Sequence, residues 1–183
     1  MIPFEKTNLT LPKDLAAAAP AAAPWFAVRV RAHAETIADA GLRAKHFETF
    51  LPTYKECRFY SDRIKKIDAP LFAGYVFCRL DPEVPLPVLT TQGVSYIVSA
   101  GRKPCPIENS EIAALQRAAS SGCTAKPWPY LHEGQRVRVQ RGAMTGVEGI
   151  LLREKGAEVL ILSVNLLQRS VSIEIDRSWV RPV

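Results

Sequence analysis

The sequence has little of the chemistry that marks an enzyme or a metal site. Among its 183 residues there are three histidines, and none of them lies in the HExxH spacing of a zinc protease. The four cysteines are far apart and form no CxxC pair, so their spacing indicates neither a zinc site nor a dithiol redox centre. A glycine-rich phosphate loop and a GxSxG nucleophile elbow are also missing. We therefore expect no catalytic residues, no bound metal and no cofactor.

Long apolar runs are missing as well. No run approaches the roughly 20 residues that a membrane-spanning helix needs, so we expect no membrane partner. Residues 15–23, LAAAAPAAA, are small alanines and a proline, and the charges before them cancel, which is not typical of an export signal. We interpret residues 1–24 as a disordered leader, and we expect a cytoplasmic monomer with free thiols.

Basic residues are in modest excess. The net charge is +6, and residues 25–121 and 122–183 share the excess equally. A net positive charge favours contact with nucleic acid, although ordinary solubilising charge explains the excess equally well. Arg29 and Arg31 share a face of the first predicted strand, and Arg43 and Lys45 lie near the end of the following helix. These four side chains could form one basic surface that contacts phosphates.

Hydrophobic periodicity divides the chain into two parts. WFAVRVR (25–31) alternates like a half-buried strand, and residues 34–47 follow at helical spacing with Ile37 on the apolar face. Prolines make the stretch 122–132 a linker, and residues 133–183 then carry only short β-rich runs separated by glycines. The pattern predicts an α+β domain over 25–121 and a small β-barrel over 133–183.

The stretch DAPLFAGYVFCRLD (68–81) contains the most informative alternation. Val76 and Cys78 should point to one face of a strand, and Tyr75, Phe77 and Arg79 to the other. The first set is typical of a core. The second set fits either a second buried face or an apolar surface kept for a partner, and periodicity alone does not distinguish them.

Six segments, in this order, resemble the NusG family of transcription elongation factors. They are WFAVRV, FLPTY, PLFAGYVFCRLD, TTQGVSYIVSAG, PCPIENSEIAAL and EGQRVRVQRGAMTGVEGIL, the last of which matches the KOW pattern. LLQRSVSIEID (166–176) and the leader are most similar to the specialised paralogues of the RfaH and UpxY type. The resemblance implies an antiparallel sheet flanked by helices, followed by an SH3-like KOW barrel.

The resemblance also implies a function and a set of contact residues. Family members bind the clamp helices of the largest RNA polymerase subunit, together with nearby non-template or upstream DNA, and suppress pausing or termination. The polymerase contact carries over to Leu71, Phe72, Tyr75 and Phe77. The DNA contact carries over to Arg29, Arg31, Arg43, Lys45, Thr91 and Gln92.

The KOW barrel is expected to recruit a further partner, either a small-subunit ribosomal protein or the termination factor Rho. Some specialised members hide this domain as a helical hairpin, but the β-branched residues of EVLILSV and SVSIEI favour the barrel here. Two other interpretations stay open. One is a housekeeping NusG that couples polymerase to Rho or to the ribosome, and the other is a KOW-type RNA-binding protein.

Overall fold

A computed structural model describes residues 23–59, 64–130, 134–154 and 157–183. The helices are α1 (Glu35–Ala44), α2 (Leu86–Leu89) and α3 (Asn109–Ser120). The strands before and between them are β1 (Trp25–Val30), β2 (Thr49–Phe50), β3 (Thr53–Phe59), β4 (Ile64–Pro70), β5 (Tyr75–Arg79), β6 (Val94–Ile97), β7 (Ser99–Ala100), β8 (Lys103–Pro104) and β9 (Pro106–Ile107). The strands after α3 are β10 (Ala125–Trp128), β11 (Gln135–Val139), β12 (Glu148–Glu154), β13 (Ala157–Val164), β14 (Arg169–Glu174) and β15 (Val180–Pro182).

The amino-terminal sheet is antiparallel, with the strand order β2-β5-β1-β6, and β9 pairs with β1 outside this path. One of its faces is a closed core, in which Val28, Val76 and Cys78 pack with Leu42 of α1 and Val88 of α2. The predicted core side of β5 is therefore confirmed. We call β5 the signature strand, because it lies in PLFAGYVFCRLD, one of the segments that resemble the NusG family. Burial raises the pKa of the Cys78 thiol to about 12, so this cysteine is an unreactive core residue.

The face of α1 that is buried against the sheet differs from the face that its apolar residues predict. Glu35, Ala38 and Leu42 are buried, whereas Ile37 is 51% exposed. The expected apolar face was therefore wrong by part of a turn. The buried stripe combines two kinds of contact: Ala38 and Leu42 pack in the apolar core, and the Glu35 carboxyl group accepts a hydrogen bond from the Gly74 amide in the turn before β5.

The segment 47–54 is not one strand, because the chain is interrupted at Leu51 and Pro52 between β2 and β3. Proline has no amide hydrogen to donate to a strand ladder, which explains the break. Beyond it, β3 and β4 pair as an antiparallel hairpin, in the polar stretch 55–66 for which the sequence predicts either a hairpin or a loop. The tip of this hairpin lies outside the described residues.

The carboxy-terminal strands form a second antiparallel sheet with the order β10-β14-β13-β12-β11-β15. The all-β prediction is confirmed, and strands occupy the sequences EVLILSV and SVSIEI rather than a helical hairpin. The resemblance of EGQRVRVQRGAMTGVEGIL to the KOW pattern implies that Gly142 is the fixed glycine of a turn. It has φ of +79°, and the Trp179 ring lies where a Cβ would project.

One expectation for the predicted linker was wrong. The prolines of CTAKPWPY predicted no regular structure, yet residues Ala125–Trp128 form β10, and Pro127 pairs with Val171 of β14. The strand tolerates this proline because β10 is at the edge of its sheet, where one side of the backbone has no ladder to complete. How 122–132 divides the two domains stays a prediction.

Much of the second face of the amino-terminal sheet is covered. Trp25 and Phe77 on this face belong to one cluster of buried side chains that includes Leu115 of α3 and Leu162 and Val171 of the carboxy-terminal sheet. The two parts of the chain are therefore packed together through this face. No helix in the described part of the chain is long and apolar enough to cross a membrane.

Candidate functional site

The candidate site is built around the tight turn that leads into β5, which we call the signature turn. The Tyr75 amide donates to the Phe72 carbonyl at 3.0 Å, which closes the turn. Gly74 has φ of +83°, a conformation that other residues adopt only with strain. The dipeptide Ala-Gly at 73–74 thus reverses the chain and fixes where Phe72 and Tyr75 point.

Three of the four predicted polymerase-contact residues are buried within the chain. Leu71, Phe72 and Phe77 are 6%, 1% and 0% exposed, and the Phe72 and Phe77 rings meet edge to face with their centroids 5.3 Å apart. The apolar patch predicted from the sequence is therefore covered in this arrangement. Tyr75 is half-buried, so it is the predicted contact residue that remains accessible.

Tyr75 lies in a row of side chains that crosses three strands. Strand pairing places Arg29 of β1 directly opposite both Tyr75 of β5 and Tyr96 of β6, and directly opposite side chains share a face. The Arg29 guanidinium lies 4.8 Å from the centroid of the Tyr75 ring, and Tyr96 is 53% exposed. The accessible part of this face is therefore a Tyr-Arg-Tyr row, in which a flat cation stacks on an aromatic ring.

A residue of the carboxy-terminal sheet completes the surroundings of Tyr75. The Arg169 guanidinium lies 5.3 Å from the centroid of the Tyr75 ring, and its Nη1 atom donates to the Ala73 carbonyl at 3.1 Å. Arg169 thus holds both the ring and the turn of the signature segment.

The residues predicted to contact DNA do not form one surface. Arg31 is exposed beyond the end of β1, and its amide donates to the Gly93 carbonyl at 2.8 Å, which places it beside the exposed Gln92. Thr91 is buried, and its hydroxyl donates to the Pro87 carbonyl at 3.0 Å. Arg31 and Gln92 therefore form a small polar edge, and Thr91 holds its backbone in place.

Of the remaining basic residues, Arg29 and Arg43 lie elsewhere, whereas Lys45 is bonded to the segment that precedes Gln92. Arg29 contacts Gly74 and Tyr75, so it belongs to the face of the sheet that carries Tyr75, which we call the signature face. Arg43 pairs with Asp39 at 3.0 Å and donates to the Thr49 hydroxyl, at the end of α1 remote from Arg31. Lys45 donates to the Pro87 carbonyl at 2.7 Å and to the Thr90 hydroxyl at 3.2 Å.

A polar cleft of about 460 Å³ runs along the junction between α3 and the carboxy-terminal sheet. At this junction the Asn165 side-chain amide donates to Glu111 Oε1 at 2.6 Å, and the Arg117 guanidinium donates to the Thr145 carbonyl at 3.2 Å. Partial burial raises the pKa of Glu111 above its usual value, and the nearby Glu108 acts in the same direction. The junction therefore combines an apolar cluster with a few polar contacts.

Sequence reasoning missed Arg169, Tyr96 and Glu111. Each of them owes its role to a partner that is distant in sequence, such as Ala73 for Arg169. The position of Tyr96 on this face could have been predicted by aligning the predicted strands, because alternation along β6 determines which face each side chain occupies. Arg169 and Glu111 carried no such signal.

The described residues contain no group of three or more histidine, cysteine or carboxylate side chains that could hold a metal ion.

Comparison with known proteins identifies the family. The family model described as "Transcription termination factor nusG" matches residues 23–116, which is just over half of the chain. The chain belongs to the NusG family. It is similar to the transcription termination/antitermination protein NusG of Campylobacter jejuni, with 24% identity over 87% of this chain and 97% of that protein. It is also similar to the protein of the same name from Thermus thermophilus, with 26% identity over 85% of this chain and 96% of that protein.

The fold of this NusG-family chain is likewise similar to a solved one. A structure described as "Domain interaction in Thermotoga maritima NusG" aligns with a TM-score of 0.52 and 18% identity, and covers 87% of this chain and 97% of that one. The family model spans β1, α1, the β3–β4 hairpin, the signature turn and most of α3. The Tyr-Arg-Tyr row and the polar edge therefore both lie within the part of the chain that the NusG model matches.

Proposed function

We propose that this NusG-family chain is a transcription elongation and antitermination factor without enzymatic activity. It binds the clamp helices of RNA polymerase through the face that carries Tyr75, and it contacts nearby DNA through the edge that carries Arg31 and Gln92. The relatives named for termination and antitermination support the general role. The Tyr-Arg-Tyr row supports the contact face most directly, because it is an accessible aromatic surface on the signature strand.

The aromatic row is suited to helices that present both apolar and polar side chains. Tyrosine combines a large apolar ring with a polar tip and is enriched in protein interfaces. Arg29 supplies several donors beside the rings and is held in place by its stacking on Tyr75. A pair of helices crossing this row would bury Tyr75 and Tyr96 together.

Side chains of the carboxy-terminal sheet belong to the cluster that buries much of this face, and we propose that the sheet must move away before polymerase can bind fully. Phe77 is completely buried in a cluster to which Leu162 and Val171 of that sheet contribute. The solved Thermotoga maritima protein is likewise described as having a domain interaction. Three hydrogen bonds named above, from Asn165, Arg117 and Arg169, cross the junction beside its apolar cluster, and we propose that this contact opens and closes.

We propose the specialised type rather than the housekeeping type, on the likeness of residues 166–176 to the RfaH and UpxY-type paralogues. In that role the released barrel recruits a small-subunit ribosomal protein, whereas a housekeeping factor would also recruit Rho. Binding of the full chain to each of these two proteins distinguishes the types, since retention of Rho would favour the housekeeping interpretation.

The polymerase contact is tested by replacing Tyr75 with alanine and measuring the affinity for core RNA polymerase. Truncating an aromatic side chain at the centre of an interface costs about 2 kcal/mol, or about 30-fold in affinity. Phe72 and Phe77 are unsuitable for this test, because truncating a fully buried phenylalanine destabilises a domain by about 3–5 kcal/mol.

The matched control is Ile37→Ala, which removes an exposed apolar side chain from the helix that covers the opposite face of the sheet. Tyr75→Ala also removes a contact of Arg169, so both variants are compared again in an Arg169→Ala background. Equal affinity of wild type and Tyr75→Ala for polymerase in both backgrounds would exclude the proposed face.

A further inference from the structure

Glu35 is a buried acid that makes no direct contribution to either proposed binding surface. Its exposed fraction is 8%, and among the described residues it is the only charged side chain in the buried set. Burying a carboxyl group is unfavourable unless hydrogen bonds compensate for the lost water. The partners of this carboxyl group therefore indicate what it does.

The Glu35 carboxyl group holds the signature turn. The Gly74 amide donates to Glu35 Oε1 at 2.8 Å, in a buried bond that joins α1 to the entry of β5. The Gly74 carbonyl in turn accepts from the Val30 amide at 3.0 Å. Both polar backbone groups of Gly74 are therefore bound by the short segment that links β1 to α1.

The other side of Gly74 is closed by Arg29. A Cβ atom at position 74 would overlap Arg29 Nη1, so the guanidinium packs directly against the glycine. The same guanidinium stacks on the Tyr75 ring. Any shift of the turn would therefore move both the guanidinium and the ring that form the centre of the proposed polymerase contact.

The segment that includes Val30 and Glu35 also holds the proposed DNA edge. The Arg31 amide donates to the Gly93 carbonyl at 2.8 Å, and the Ala34 amide donates to the Arg31 carbonyl at 3.1 Å. A Cβ atom at Gly93 would lie 3.0 Å from the Cβ atom of Ala34. Six consecutive residues thus fix the positions of both turns, and Glu35 is the member that reaches the signature turn with a side chain.

We propose that Glu35 is a positioning residue for polymerase binding. Its carboxyl group fixes the Gly74 turn so that Tyr75 and Arg29 are presented together before polymerase arrives. This inference rests on the proposed function, since it assigns a role to Glu35 within the same contact face. The hydrogen bond itself can be tested without polymerase.

The test compares four variants of the full chain. Glu35→Ala removes the acceptor, Glu35→Asp keeps the charge but is one methylene too short, and Glu35→Gln keeps an oxygen at the same reach. Glu83→Ala removes an exposed glutamate of the same domain and is the matched control. Each variant is assayed for polymerase affinity and, by NMR, for the hydrogen-exchange rate of the Gly74 amide.

We expect Glu35→Ala and Glu35→Asp to lose about tenfold in affinity and to exchange the Gly74 amide about tenfold faster, since the buried hydrogen bond to the Gly74 amide is lost. Glu35→Gln should keep the wild-type value of both within about threefold, and Glu83→Ala should change neither. Rescue by glutamine is not expected of a residue that acts only through its charge.

Two results would overturn the inference. One is wild-type affinity in a folded Glu35→Asp or Glu35→Ala variant, and the other is a Glu35→Gln variant that loses affinity as alanine does. If the wild-type chain itself fails to bind polymerase, the proposed function is wrong. In that case the Gly74 exchange rate still reports whether Glu35 holds the turn, so the two failures are distinguishable.

Discussion

Replacing Arg169 with alanine should release the carboxy-terminal sheet from the signature face. In the structure Arg169 makes two contacts across the junction, one with the Tyr75 ring at 5.3 Å and one with the Ala73 carbonyl at 3.1 Å. A cation–π contact at a partly exposed position contributes about 1 kcal/mol, and a hydrogen bond from a charged donor about another 1 kcal/mol at such a position. Losing both should shift the equilibrium between docked and released forms by about 30-fold.

The consequence can be measured in two independent ways. If only the released form binds polymerase, its apparent affinity rises in proportion to the released fraction, by up to about 30-fold. NMR relaxation of the free chain should show the two parts tumbling together in wild type and separately in the variant. Arg169→Lys should be intermediate, because lysine keeps the charge but not the planar stacking.

Arg153→Ala is the matched control for this experiment. Arg153 also lies in the carboxy-terminal sheet, but its partner is Glu158 of the same sheet, at 3.8 Å. Its removal should leave both tumbling and polymerase affinity unchanged. If Arg169→Ala tumbles as one body and binds polymerase no more tightly than wild type, then Arg169 does not hold the junction, and the reasoning is refuted.

Two further predictions concern the junction and the polar edge. Burial at the junction raises the pKa of Glu111 more than the hydrogen bonds from Asn165 lower it, and release of the sheet would remove both effects. The docked form should therefore bind the proton of Glu111 more tightly than the released form, and docking should strengthen as the pH falls through the raised pKa. The docked fraction, followed by NMR relaxation against pH, should lose this dependence in Glu111→Gln, and an unchanged profile would contradict the assignment. At the polar edge, Arg31→Ala should weaken DNA binding and reduce its salt slope by about one unit, as removal of one phosphate contact does. Arg43→Ala should have a smaller effect, because Asp39 already pairs with Arg43; an equal loss in both variants would show that the edge is not confined to Arg31.

The contact face of the sheet shows how far periodicity reaches. The alternation of β5 correctly assigned Val76 and Cys78 to the core. It could not say what covers the opposite face, because a strand buried on both sides and a strand with one apolar surface have the same pattern. Phe77 is completely buried, and residues from beyond position 160 contribute to its cluster.

The helix α1 shows a second limit. Its existence followed from spacing, but its buried stripe includes Glu35, whose hydrogen bond with the Gly74 amide joins residues 39 positions apart. An acidic residue in the first turn of a helix is ordinarily interpreted as a favourable charge near the helix dipole. Nothing local indicated that this one is buried.

The sequence by itself determined that an α+β part is followed by an all-β part, and it determined the core side of β5. These features depend on alternation and turn chemistry, which act over a few neighbouring residues. Only the tertiary structure decided that Arg29 contacts the Tyr75 ring instead of forming one basic surface with Arg31, and that Arg169 contacts the same ring. Those contacts depend on strand register and on the packing of distant segments, and no local pattern encodes either of them.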